Sequence, residues 1–347
     1  MILAYARYQG VKFSRAKKVL KGWQEEGFRA AQVFSWIYKK GSQDFEAMSD
    51  LSSGLRLKLK ENFSFGSLRL INKRLSADGT EKFLFALTDK GSVEAVSIPT
   101  ENRATGCIST QVGCKFACSF CASGLHGFKR NLSAAEILEQ ALFLKDGSRV
   151  RKLTHLVFMG TGEPLDNYDN LLKSIRIINS KEAFNIGARR ITISTCGITP
   201  GIKRLSGEGL QIELSVSLHA SDDRTRSRIM PINKRYPLES LLTACREYIK
   251  KTDRQITFEY VLIQGLNSDL QSSRELSKIL KGLNCKVNLI PANFVAELGI
   301  EPPGKLEILM FRDCLLKAGI GVTLRKPRGQ DIEASCGQLR LKHENRI

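Results

Sequence analysis

The feature that most constrains the fold is an alternation of short apolar runs with amphipathic stretches, beginning near residue 105. Runs at 153–159, 190–194, 212–218, 256–263, 287–290 and 321–324 read as strands. Helical periodicity fills the stretches near 133–145, 168–179, 238–250, 269–281 and 304–318. Ser133-Ala-Ala-Glu136 opens the first of these as a capping box. Strands separated by helices run parallel, because only a long crossover returns the chain to the same edge. The expected class is therefore α/β, a parallel sheet or barrel with its chemistry at the C-terminal ends of the strands.

The first third of the chain follows other rules. Residues 28–38 place apolar side chains at helical spacing with Gly41 as a stop, and 51–59 is a second short amphipathic stretch. Trp23, Trp36 and the phenylalanines here read as core rather than as stacking platforms for bases. Residues 66–99 change period: 68–71, 82–87 and 93–98 read as antiparallel strands around the turns Ala77-Asp-Gly79 and Asp89-Lys-Gly91. The expected division is a basic helical domain over 1–65, a β extension over 66–100 and a catalytic domain over 101–347.

Charge and length narrow the partners. The 347 residues carry a formal net charge of +19, and residues 1–24 hold Arg7, Lys12, Arg15, Lys17, Lys18 and Lys21 with no acid. Such an excess suits a polyanion whose phosphates release counterions on binding, with a merely solubilising surface as the plainer reading. No apolar run approaches the ~20 residues of a membrane span, and no signal peptide is visible. A cytoplasmic protein is expected, with no membrane partner.

Nine cysteines in a long chain without an export signal favour metal or catalytic use over disulfides. Cys114-Lys-Phe-Ala-Cys118-Ser-Phe-Cys121 offers three thiolates in one loop, enough for three irons of a [4Fe–4S] cluster. The fourth iron would then be open to chelation by an amine and a carboxylate, groups that S-adenosylmethionine carries. Phe116 and Phe120 would shield such a cluster. The alternative is structural zinc with Cys107 as fourth ligand, although zinc motifs favour paired C-x2-C spacing. Cys196, Cys245, Cys285 and Cys314 match no motif and read as core thiols.

The cysteine motif, Gly160-Thr-Gly-Glu-Pro164 at the end of the next strand, Ser217-Leu-His-Ala220, Met230-Pro-Ile-Asn-Lys-Arg235 and Arg328-Gly-Gln-Asp-Ile-Glu-Ala-Ser-Cys-Gly-Gln-Leu339 recur in one order. In these the chain resembles the RlmN/Cfr family of radical S-adenosylmethionine RNA adenine methyltransferases, from the helix at 28–41 to Leu339. The resemblance implies an open (β/α)6 partial barrel. It implies Cys114, Cys118 and Cys121 as cluster ligands, and Gly162, Glu163, Ser194, Ser217, Leu218, His219 and Asn293 as S-adenosylmethionine contacts. Thr161 stands where the family often has Met, and the usual turn after Asn293 is replaced by Phe-Val.

The chemistry it implies runs in two stages. Cys336 takes a methyl group from one S-adenosylmethionine. A 5′-deoxyadenosyl radical from a second molecule abstracts hydrogen from that methyl, and the carbon radical adds to adenine. Glu94 removes the proton from the base, and Cys107 attacks Cys336 to release the product as a disulfide forms. The implied substrate is an adenosine near the peptidyl-transferase centre of 23S rRNA, position 2503 in the usual rRNA count, with adenosine 37 of some tRNAs. The implied partners are a flavodoxin or ferredoxin as electron donor, and a monomer is expected. Pro164, Gln111-Val-Gly113 and Pro327-Arg-Gly329 look more like the branch that methylates carbon 2. Carbon 8 methylation, the resistance branch, and a non-enzymatic zinc module remain as alternatives.

Overall fold

The computed structural model describes residues 6–7, 10–124, 127–146, 153–292, 301–325 and 328–332. Strand β1 (Ala6–Arg7) pairs in parallel with β2 (Phe63–Ser64) and brackets a small helical segment. In α1 (Phe13–Gly22) the i, i+4 pair Ala16 and Leu20 is buried, while Lys17, Lys18 and Lys21 face outward. Helix α2 (Arg29–Phe34) runs into a π-helical turn at Ser35–Lys39. The helix expected over 28–38 is thus widened at its end, which lets Phe34, Ile37 and Tyr38 all reach the core. Helix α3 (Ser53–Asn62) starts on Ser52, whose hydroxyl accepts the Leu55 N–H. The buried aromatic residues here are core, as expected, whereas Phe28 is 56% exposed.

Next come β3 (Arg69–Leu75), β4 (Glu81–Ala86) and β5 (Ser92–Thr100), paired antiparallel. Strand β5 continues antiparallel into β6 (Arg103–Cys107). A hairpin of β7 (Gln111–Gly113) and β8 (Phe128–Asn131) encloses the cysteine motif. Then α4 (Ala134–Asp146) opens on the capping box: Ser133 and Glu136 each bond the other's backbone N–H. The alternation follows as β9 (His155–Phe158), α5 (Tyr168–Asn179), β10 (Ile191–Thr195), α6 (Thr199–Leu205) and β11 (Glu213–Ser217). It ends with α7 (Asp223–Ile229), α8 (Leu238–Thr252), β12 (Ile256–Leu262), α9 (Leu270–Leu280), β13 (Cys285–Pro291), α10 (Lys305–Lys317) and β14 (Gly321–Leu324).

One ten-stranded sheet results, in the order β14-β13-β12-β11-β10-β9-β6-β5-β4-β3. From β6 to β14 every pairing is parallel. Six strands, β6 and β9 to β13, form the open (β/α)6 partial barrel, and β14 adds a seventh along its edge. Strand β12 is buried at six of seven positions, as a strand covered on both faces must be. The antiparallel strands extend the barrel sheet through β6.

Candidate active site

The cysteine loop begins where β7 turns at Gly113, which has φ +79° and lies against the Gly127 carbonyl. Any Cβ there would overlap that carbonyl, so only glycine lets the Cys114 N–H reach Gly127 O at 3.1 Å. Within the loop the Cys121 N–H donates to Cys118 O at 3.0 Å, and the Ser119 N–H ties it to Ile229 O at 2.9 Å. Phe116 and Phe120 pack half-buried against Ile229, Met230 and Ile232, beside Cys118.

These three cysteines crowd negative charge. Burial pushes the Cys114 thiol up to about 12, and nearby Cys121, Glu163 and Asp166 add to the rise. Burial raises Cys118 further, with Cys121 and Cys114 contributing. Such a set is held deprotonated by a cationic centre. Among the described residues, however, no three His, Cys, Asp or Glu side chains converge closely enough to share one metal ion. A single zinc needs its ligands around one centre, whereas each thiolate of a [4Fe–4S] site binds its own iron. Three thiols in one loop, each able to bind its own iron, fit a [4Fe–4S] cluster.

Beside this loop lie the ends of β9, β10 and β11. Gly162 has φ +100°, and a Cβ there would come within 2.8 Å of Gln111 Cγ and 2.9 Å of Gln111 N. Gln111 in turn accepts the Glu163 N–H at 2.8 Å and donates to Asp166 at 2.9 Å. The Glu163 carboxylate is buried and engaged internally: it accepts the N–H groups of Cys196 (2.6 Å) and Leu165 (2.9 Å). Burial raises its pKa. Any contact with a methionyl ammonium would therefore use its backbone carbonyl or its remaining lone pairs. Ser194 and Ser217 stand half-buried at the ends of β10 and β11, with Leu218 and His219 buried next to them.

His219 sits at φ +59°, its carbonyl accepting from Asn267 Nδ2 at 2.7 Å. Its Nδ1 accepts the Val261 N–H at 3.0 Å, which assigns the proton to Nε2. Burial, with Arg226 nearby, pulls its pKa down to about 3, so the ring is a neutral donor at physiological pH. The ring meets Phe120 of the cysteine loop edge to face at 4.7 Å.

Glu94 and Cys107 belong to the antiparallel part of the sheet. Register places Lys82 opposite Val96 and Val96 opposite Cys107, with Leu84 opposite Glu94. Paired residues share a face, as do residues two apart on one strand. Lys82, Glu94 and Cys107 therefore stand on the same face. Lys82 Nζ lies 3.2 Å from Glu94 Oε2, both buried, and the Ser109 hydroxyl donates to Glu94 O at 2.7 Å. Asn293 and Cys336 lie outside the described residues.

Two site residues escaped the sequence reading. Cys196, read as a core thiol, is only partly buried and packs in the same apolar cluster as Cys118, Phe116 and Phe120. Arg226 is fully buried, and its guanidinium donates to the carbonyls of Cys196, Ser217, Leu218 and Tyr236 and to Asn233 Oδ1. It thereby pins the ends of β10 and β11 together. Asn233, inside the Met-Pro-Ile-Asn motif, was the one available signal.

Comparison with known proteins agrees with this geometry. The Radical SAM superfamily matches residues 108–276, and the ribosomal RNA large subunit methyltransferase N-terminal domain matches residues 10–64. The chain is 47% identical over 320 residues to a probable dual-specificity RNA methyltransferase RlmN of Caldanaerobacter subterraneus subsp. tengcongensis, covering 92% of this chain and 93% of that one. A protein of the same description from Lysinibacillus sphaericus is 46% identical, covering 92% and 85%. The crystal structure of a radical SAM methyltransferase from Sphaerobacter thermophilus superposes with a TM-score of 0.92 at 40% identity, covering 96% of this chain and 98% of that one. With a cysteine loop, strand ends and N-terminal segment all matched, the chain belongs to the RlmN family of radical S-adenosylmethionine RNA methyltransferases.

Proposed function

We propose that this protein methylates carbon 2 of adenine in RNA, at the peptidyl-transferase-centre adenosine of 23S rRNA and at adenosine 37 of some tRNAs. The observation that carries the reading is the sheet register, which gathers Glu94 and Cys107 on one face, on strands continuous with the barrel. When bound at Cys114, Cys118 and Cys121, a [4Fe–4S] cluster supplies one-electron cleavage of S-adenosylmethionine to a carbon-centred radical. The chain's own residues do the rest. Gly162, Glu163, Ser194, Ser217, Leu218, His219 and Asn293 hold S-adenosylmethionine, with His219 Nε2–H as a fixed neutral donor. Cys336, as thiolate, accepts a methyl group by displacement. Glu94 takes the proton lost from the base; Cys107, as thiolate, attacks the Cys336 sulfur, so that the S–S bond forms as the S–CH2 bond breaks, the freed carbon takes up a proton to become the methyl group, and the one surplus electron of the radical adduct leaves to an electron acceptor.

Lys17, Lys18 and Lys21 on the open face of α1 would meet the RNA backbone. The base must leave its stack to reach the site. A flavodoxin or ferredoxin as electron donor, a monomeric state and a cytoplasmic location complete the reading. Among the described residues no helix is long and apolar enough to cross a membrane.

Nucleoside mass spectrometry tests it. Reconstituted protein, S-adenosylmethionine, a reductant and an unmodified 23S rRNA fragment should give 2-methyladenosine that disappears in Cys336→Ala. An 8-methyladenosine peak would overturn the carbon assignment, and no product from a chain with an intact cluster would overturn the activity.

A further inference from the structure

The approach to Cys336 is fastened to the far side of the sheet. Residues Arg328 to Ile332 close with the Ile332 N–H on Gly329 O at 3.2 Å. Asp331 Oδ1 accepts the Ser76 hydroxyl at 2.5 Å and its Oδ2 accepts the Ala77 N–H at 3.0 Å. Asp78 divides its carboxylate: Oδ1 takes the Thr80 N–H within its own turn at 2.9 Å, and Oδ2 takes the Gly329 N–H at 3.1 Å. Arg328 lies 3.8 Å from the same oxygen. These contacts span about 250 residues of sequence and converge on one tight turn, Ser76 to Thr80, between β3 and β4. Hydrogen bonds to ionised carboxylates are the stronger kind, and two backbone donors fix direction as well as distance. Both Asp78 and Asp331 are held below the ordinary carboxylate range, despite some burial in the case of Asp78, by these same donors.

The turn is well placed to act on the chemistry. It leaves the sheet at the row Leu75, Glu81, Ser97, Gly106, next to the row Arg74, Lys82, Val96, Cys107. Cys336 follows Ile332 by only four residues of sequence. The turn at 328–332, fastened at Asp331, is thereby referenced to the same sheet that carries Cys107 and Glu94. Resting on the reading of Cys336 as methyl carrier, we propose that Ser76, Asp78 and Asp331 are positioning residues, a clasp that fastens the turn at 328–332 through which the chain leads to Cys336. They touch neither substrate nor cofactor and act through where Cys336 is held.

The test uses full-length reconstituted protein carrying Asp331→Asn, Ser76→Ala or both. Three readouts are taken: amide hydrogen exchange of the peptide 328–339, methylation of Cys336 by intact mass, and 2-methyladenosine yield per methylated enzyme. Expected are faster exchange at 328–332 in each variant and a loss of kcat between about tenfold and a hundredfold with KM for RNA unchanged. The double variant should lose less than the two single losses combined, since Ser76 and Asp331 share one contact. Unchanged exchange in Asp331→Asn overturns the clasp whatever the product. Faster exchange with parental kcat overturns its positioning role. Wild-type protein that forms no methyladenosine refutes the functional reading, while the exchange result still decides whether the clasp exists.

Discussion

Replacing Gly162 by Ala is the most direct probe of how the strand ends are built. The residue adopts φ +100°, a backbone region closed to L-residues, at a strain of order 1–3 kcal/mol. Its new Cβ would also press on Gln111, with backbone N at 2.9 Å and Cγ at 2.8 Å. A backbone atom cannot rotate aside, so overpacking adds about 1–3 kcal/mol. Together these give about 2–6 kcal/mol of destabilisation, which at roughly 2 °C per kcal/mol for a chain this long lowers the apparent Tm by about 4–12 °C. Because Gln111 accepts the Glu163 N–H, the shift also moves the Gly-Glu pair. S-adenosylmethionine affinity should fall at least about tenfold, equivalent to 1.4 kcal/mol.

The assay pairs a fluorescence melt with calorimetric titration of S-adenosylmethionine into reconstituted protein. Gly187→Ala is the control, because its φ is −57° and nothing lies within 4 Å of a Cβ there. It should leave both quantities unchanged or raise Tm slightly. If Gly162→Ala melts with the parent and binds the cofactor equally well, the close approach of Gln111 does not set the pocket and the reasoning fails.

Three further outcomes follow from particular contacts. Arg226→Lys keeps the charge but not the five-donor fork, leaving at least two buried carbonyls unpaired at about 1–3 kcal/mol each; thermal melts should show a marked drop, and a parental melt would contradict the hub. Asp89 is held down at about 2, chiefly by its hydrogen bond from Arg130. Its stabilising contribution is present above the ordinary value of 3.8 and lost as pH falls toward 2, so Arg130→Met should unfold with a shallower acid dependence between pH 4 and pH 2 than the parent. With Asp89 half-exposed the difference is small, and identical acid titrations would remove the pair from the account. Replacing Lys17, Lys18 and Lys21 together by Ala should weaken RNA binding and lower the salt slope of log K by about 2 in filter binding; an unchanged slope would take α1 out of the interface.

How much of this was written in the sequence differs by element. From β9 onward the alternation was legible because the strands carry apolar runs and the longer helices are amphipathic, whereas β6, Arg-Ala-Thr-Gly-Cys, holds no such run. The β7–β8 hairpin was not, since its strands are three and four residues long and leave no period to read. Helices α6 and α7 are seven residues each and failed for the same reason. The three antiparallel strands were legible one by one, but their union with the barrel depends on β5 choosing β6, a tertiary decision. Arg226 was hidden for a different cause. It lies in Asp223-Arg-Thr-Arg-Ser-Arg-Ile229, where nothing in the sequence sets it apart from Arg224 and Arg228, and only the convergence of five acceptors reveals it as core. Cys196 looked like any unmatched thiol until the fold brought it beside Cys118.

The Lys82–Glu94 pair shows why the extended sheet matters. Lys82 is wholly buried on β4, among Phe83, Leu84 and Phe85, where a Leu or Met would fit the strand as well. Removing two charges from water costs several kcal/mol each, and well-packed apolar replacements of buried pairs are commonly as stable or more so. Stability therefore gives little reason to keep this pair. What the pair does accomplish is geometric: it fixes a carboxylate on the sheet face that also carries Cys107, one strand over. The same β3–β4 hairpin that supplies Lys82 also supplies the turn that grips Asp331. One hairpin thus holds the proposed base from behind and, at its tip, the turn at 328–332 that precedes the proposed methyl carrier.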